Sequence, residues 1–121
     1  MNLVQGRIEN DARGSAVVLG NGARLALPAS RYDAHAGKAV TIGLRPEHLH
    51  WAADDDPNAL VGVARVVEPL GSDTLVVFGV AGCELQARLP PRVVRRAGDP
   101  VRVTVAPESI HVFDPVTERR L

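Results

Sequence analysis

Short apolar runs that alternate with polar residues, or that are rich in β-branched side chains, account for most of the chain. They predict strands at residues 3–9 (LVQGRIE), 15–19 (SAVVL), 24–27 (RLAL) and 39–44 (AVTIGL). The same reading gives strands at residues 60–68 (LVGVARVVE), 73–80 (DTLVVFGV), 83–89 (CELQARL) and 101–106 (VRVTVA). Turn markers separate them: Asn21-Gly22, a pair that tolerates positive φ and favours a tight hairpin, then Gly71-Ser72 and Ala81-Gly82. Only residues 28–37 (PASRYDAHAG) and 90–98 (PPRVVRRAG) read as helical. Each opens on a proline suited to a first turn and closes on a glycine suited to a C-cap.

The pattern occurs twice. Gly37, Val40, Ile42, Leu44, Pro46, Glu47, Leu49 and His50 are answered by Gly98, Val101, Val103, Val105, Pro107, Glu108, Ile110 and His111, all at an offset of 61. The Leu-Pro steps at Leu27-Pro28 and Leu89-Pro90 extend the correspondence, with Arg31 and Arg92 at the common offset. Each unit runs strand, hairpin, strand, short helix or turn, strand, Pro-Glu turn, and a closing strand (LHW or IHVF). Proline ends a ladder because it lacks an amide donor, and a glutamate suits the free amides of the bend that follows. An all-β fold of two small pseudo-repeated barrel lobes follows, since an open sheet this short would leave reactive edges. The expected division is lobe 1 at about 1–52, a polar linker at 53–59, and lobe 2 at about 60–121, within one domain of residues 1–121. Doubling lets two marginal lobes bury a shared face.

Composition narrows the function. Lys plus Arg equals Asp plus Glu, 14 against 14, and aromatics are 3%, which disfavours nucleic acid both electrostatically and for lack of stacking platforms. Cys83 is the single cysteine, so an internal disulfide and a Cys-based zinc site are excluded, and a reducing compartment is favoured. No apolar run approaches the roughly 20 residues that cross a bilayer, and no signal pattern opens the chain; both point to a cytoplasmic location.

Catalytic motifs are missing. Gly37-Lys38 is followed by Ala39 rather than Ser or Thr, which excludes a phosphate-cradling loop, and no G-x-S-x-G elbow exists. His48 and His50 would share one face of a strand, yet nothing nearby completes a zinc set. Asp54, Asp55 and Asp56 lack the spacing of a calcium loop and read as solvated linker. Arg92, Arg95 and Arg96 read as solubilising charge, with a partner-docking patch as the alternative; Arg119-Arg120 is a second basic pair. No enzyme, metal or cofactor is expected.

Residues 42–49 (IGLRPEHL), 66–78 (VVEPLGSDTLVVF) and 98–121 resemble the C-terminal domain of ATP-binding subunits of bacterial ABC importers, of the maltose and glycerol-3-phosphate type. In that family the region is the transport-associated OB-like (TOBE) domain, a pair of small OB-like, MOP-like barrel lobes. The resemblance implies a non-catalytic regulatory and dimerisation domain. Its expected partners are a second copy of the ATPase subunit, the nucleotide-binding domain, and a regulatory protein or small-molecule effector. It implies contact with the membrane only through permease subunits, on the inner face. The interface or regulatory residues expected are Arg45, Pro46 and Glu47 on one turn, and Leu70, Gly71, Ser72 and Asp73 on one loop. A competing reading is a MOP-like binder of an oxyanion or sugar phosphate, held by backbone amides and Ser, Lys or Arg.

Overall fold

A computed structural model describes residues 1–121. The first half contributes β1 (Asn2–Asp11), β2 (Gly14–Leu19), β3 (Arg24–Ala26), β4 (Ala39–Leu44) and β5 (His50–Trp51). The second contributes β6 (Leu60–Pro69), β7 (Thr74–Val80), β8 (Cys83–Leu89), β9 (Pro100–Thr104) and β10 (His111–Phe113). Each strand falls on a run that the alternation predicts, and the fold is all-β. Alternation also decides the facing of side chains: along β7, Thr74, Val76, Phe78 and Val80 are buried while the residues between them are half-exposed.

The two sheets have one plan. Their orders are β10-β4-β1-β2-β3 and β5-β9-β6-β7-β8, all neighbours antiparallel. Replacing each strand of the first half by its counterpart in the second converts one order into the other, with a single twist: the closing strands are exchanged. β5 pairs with β9, His50 opposite Thr104 and Trp51 opposite Val103. β10 pairs with β4, His111 opposite Gly43 and Val112 opposite Ile42.

Exchange produces one interior. Ile8, Val17, Leu25 and Ile42 from the first half and Leu60, Phe78, Leu85 and Val103 from the second are solvent-free members of one apolar cluster. Buried chains of this kind each contribute about 1.5–3 kcal/mol over an exposed reference, so neither half keeps its share without the other.

The repeat extends to the backbone. Gly37 and Gly98 adopt φ of 84° and 95°, a region that favours glycine. Each then donates its amide to the neighbouring strand, Gly37 to the Ile8 carbonyl at 2.7 Å and Gly98 to that of Ala64 at 2.8 Å. The segments read as helical are tighter than expected. Residues 28–37 hold a single 3-10 turn, Asp33–His35, and residues 90–98 only turns. Ser30 and Arg92 explain this: each lies two residues after its proline with φ of 65° or 75°, which stops a helix before its first turn closes. The conformational counterpart of Arg92 is thus Ser30 and not Arg31. Beyond these left-handed residues the chain drops Tyr32 and Val94 into the core instead.

Candidate functional site

Residues 45–48 leave β4 in a 3-10 turn, Pro46–His48, because Pro46 fixes φ at the first position and ends the ladder. The Arg45 carbonyl accepts the His48 amide at 2.9 Å. Pro107–Ser109 repeats the bend, with the Ser109 amide donating to Ala106 at 2.9 Å. Glu47 is exposed, and its carboxyl is held below the usual range chiefly by its own backbone N–H, with His48, Arg45 and Arg88 adding to the effect.

Leu70, Gly71, Ser72 and Asp73 form the tip of the β6–β7 hairpin. Gly71 has φ of 96°, and the Leu70 amide donates to the Asp73 carbonyl at 2.8 Å. Leu70, Gly71 and Ser72 are exposed; Asp73 is half-buried and ion-pairs with Arg88 of β8 at 3.6 Å. Arg88 therefore lies between the two predicted segments, within electrostatic reach of Glu47 and in contact with Asp73. The Pro46–His48 turn itself packs on β8. The sequence singled out both acidic residues but not Arg88; its position at an outward-facing alternation of β8 was the available signal.

Asn2 was also missed. Its side-chain amide donates to the Leu44 carbonyl at 3.0 Å, just before the turn, and pairs with Gln86 of β8. The turn is thus fixed to both sheets. His48 and His50 do not share a strand face, since His48 sits in the turn and His50 on β5. Cys83 is half-buried at the rim of an open cleft of about 580 Å3 that Leu3, Gln5, Thr41, Phe113 and Asp114 also line. Asp114 is already committed: it accepts the Thr117 and Val116 amides at 3.0 and 2.8 Å and pairs with Lys38 at 2.9 Å. The Thr117 amide, then Lys38 and the Val116 amide, hold its carboxyl far below the ordinary carboxylate range. No helix is long and apolar enough to cross a membrane.

Comparison with known proteins places two family models along the chain. The TOBE domain model matches residues 42–113, and the MalK OB fold domain model matches residues 1–49. The sulfoquinovosyl glycerol transport ATP-binding protein SmoE of Agrobacterium fabrum is 37% identical over 124 residues, covering 100% of this chain and 33% of that protein. The sn-glycerol-3-phosphate import ATP-binding protein UgpC of a Ruegeria species is 43% identical over 107 residues, covering 87% of this chain and 28% of its own length. This chain spans about a third of such relatives. Among solved structures, the cytoplasmic molybdate-binding protein ModG superposes with a TM-score of 0.71 at 18% identity, covering 94% of this chain and 96% of that one, which is a likeness of fold.

Proposed function

The chain belongs to the TOBE domain family, and on that premise we propose that it is the regulatory and dimerisation domain of an ATP-binding subunit in an ABC importer of carbohydrates or related solutes. The role is non-catalytic. ATP hydrolysis is assigned to a separate nucleotide-binding domain, and the family matches along this chain are a TOBE and an OB domain. The complex works at the inner face of the cell membrane, which this domain reaches only through permease subunits.

The observation that carries the reading is the joint match of the two family models in order along the chain, among relatives named as import ATP-binding proteins. The mechanism is mechanical. Paired domains hold two subunits together while the nucleotide sites open and close, and an effector bound here biases that equilibrium by its differential affinity for the two states. The contacts are assigned to Arg45, Pro46 and Glu47 with Leu70, Gly71, Ser72 and Asp73. Support for grouping them comes from Arg88, which pairs with Asp73 from the strand on which the Pro46–His48 turn packs, and from Leu70, an apolar side chain left 47% exposed at its tip.

Chemical cross-linking and size-exclusion of the full-length subunit test this reading. Arg45→Ala with Glu47→Ala should reduce the dimer or uncouple ATPase regulation, and Leu70→Asp should do so more strongly. Unchanged dimerisation and unchanged regulation in both variants would overturn the contact assignment.

A further inference from the structure

The outer face of the sheet β10-β4-β1-β2-β3 carries a row of three side chains that the core does not use. Gln5 of β1 stands opposite Thr41 of β4, and Thr41 stands opposite Phe113 of β10. Residues directly opposite one another share a face, so the three line up across strands about 4.8 Å apart. The C-terminal segment walls this row on one side. The Asp114 amide donates to the Arg119 carbonyl and the Glu118 amide to the Asp114 carbonyl, both at 2.8 Å, which closes the segment into a loop. Glu118 holds φ at 61° within that loop, a conformation uncommon outside glycine, and with Pro115 it lines the cleft of about 580 Å3. That volume lies within the roughly 300–1,000 Å3 of small-ligand sites.

The internal repeat provides a comparison. In the other sheet Val61 stands opposite Arg102, and the Ala52 amide donates to the Arg102 carbonyl at 3.0 Å, so Val61, Arg102 and Ala52 take the places of Gln5, Thr41 and Phe113. There the Arg102 side chain is spent on the Asp54 carbonyl. One plan therefore folds with or without the row, and the fold does not dictate Gln5, Thr41 and Phe113.

The side chains of Gln5, Thr41 and Glu118 make no hydrogen bond or ion pair within the chain. Gln5 and Thr41 each offer a donor and an acceptor, and the Glu118 carboxylate offers acceptors only. The Phe113 ring is already fixed: it leans on Gly43, where a Cβ would stand 3.1 Å from it, and stacks on His111 with centroids 6.5 Å apart. Charge decides against an anion, because the Asp114 and Glu118 carboxylates line the cleft, no Lys or Arg does, and the nearby Lys38 is paired with Asp114 at 2.9 Å. A simple cation gains little, since an exposed pair with Glu118 is screened by water. Hydroxyl groups both donate and accept and so suit Gln5, Thr41 and Glu118 together, while the C–H face of a sugar ring suits the electron-rich face of Phe113.

We infer that this cleft binds a neutral sugar, its ring laid against Phe113 and its hydroxyls bonded to Gln5, Thr41 and Glu118. The site lies within one copy of the chain and does not require the dimer. It rests on the importer reading only for its consequence: a sugar delivered by the transporter would tie the C-terminal segment to the sheet beneath it.

Protein NMR of the 121-residue chain tests the cleft with glucose, maltose, glucuronate and choline as probes. Glucose or maltose should shift the Gln5, Thr41 and Glu118 amides saturably at millimolar concentration, as suits an open cleft, and should slow alkylation of Cys83 at its rim by iodoacetamide. Glucuronate, which adds a negative charge to the same ring, should bind more weakly than glucose, and choline should give no saturable shift at these amides. Phe113→Ala and Gln5→Ala should each weaken sugar binding by roughly tenfold, and Phe113→Tyr should keep it. Gln5 is exposed, so its variant leaves the core intact. No saturable shift with either neutral sugar, binding that survives both alanine variants, or tighter binding of glucuronate or choline would overturn the inference. Failure there leaves the subunit-contact reading intact, since cross-linking of the Arg45, Glu47 and Leu70 variants needs no sugar.

Discussion

Asn2 pairs with Gln86 as if it were one more residue of backbone: its Nδ2 donates to the Gln86 carbonyl at 2.8 Å, and its Oδ1 accepts the Gln86 amide at 2.8 Å. β8 is an edge strand, and a side-chain amide from the opposite sheet covers part of that edge. Replacing Asn2 by Ala should cost about 1–2 kcal/mol, the net value of the lost bonds with partial compensation by water. Denaturant melts give the total. Faster hydrogen exchange at the Gln86 amide, with the core amides of β7 little changed, would locate the loss.

Gly62 and Gly79 lie on the paired strands β6 and β7 and should respond unequally to the same change. A Cβ on Gly62 would collide with the Gly79 carbonyl and press on Val80, whereas one on Gly79 would meet only the mobile guanidinium of Arg65. Gly62→Ala should therefore destabilise by about 1–3 kcal/mol as an overpacked site, and Gly79→Ala by under about 1 kcal/mol. Urea midpoints at constant m-value check the pair.

Acid should loosen the C-terminal segment first. The folded Asp114 carboxyl titrates well below its unfolded counterpart, so its contribution is complete above the unfolded value of about 3.9 and fades as pH falls toward the folded one. Asp11, Asp99 and Glu47 are shifted the same way and add to the loss. Asp114→Asn should flatten the acid limb of a stability-versus-pH curve below about pH 4. A variant limb as steep as that of the parent would contradict this assignment.

Phe78 is fully buried in the second half, yet its loss should be felt in the first. Phe78→Ala should cost about 3–5 kcal/mol. Because β5 and β10 are exchanged, protection of amides in β1 and β2 should fall along with that of β7. Site-resolved hydrogen exchange measures it, and a first half that keeps its protection would show the halves to be uncoupled.

The contrast between what the sequence disclosed and what it hid follows the range of the interactions. Period-two alternation is local, so β4, β7 and β8 could be read almost residue by residue, and the repeat identified the two sheets as copies. LHW and IHVF fit either sheet equally well, because pairing partners depend on chain reach and shared burial, which no window of residues contains. Of the short helix or turn expected at residues 90–98 the chain forms the turn, and one dihedral decides it, the positive φ of Arg92, at a residue type that seldom adopts it. The segments 45–47 and 70–73 were visible as turns. Arg88 between them was not, since its role arises only when β8 comes to rest against the Pro46–His48 turn.

Residues 53–59 do more than connect. Arg102 of β9 donates to the Asp54 carbonyl at 2.7 Å, which anchors the segment to the second sheet. A trade of strands between separate molecules would weaken on dilution; the covalent tether gives it an effective concentration on the order of millimolar whatever the amount of protein present. Below the concentration at which copies associate, melting should accordingly be independent of concentration in the intact chain, and should become concentration-dependent once that connection is cut.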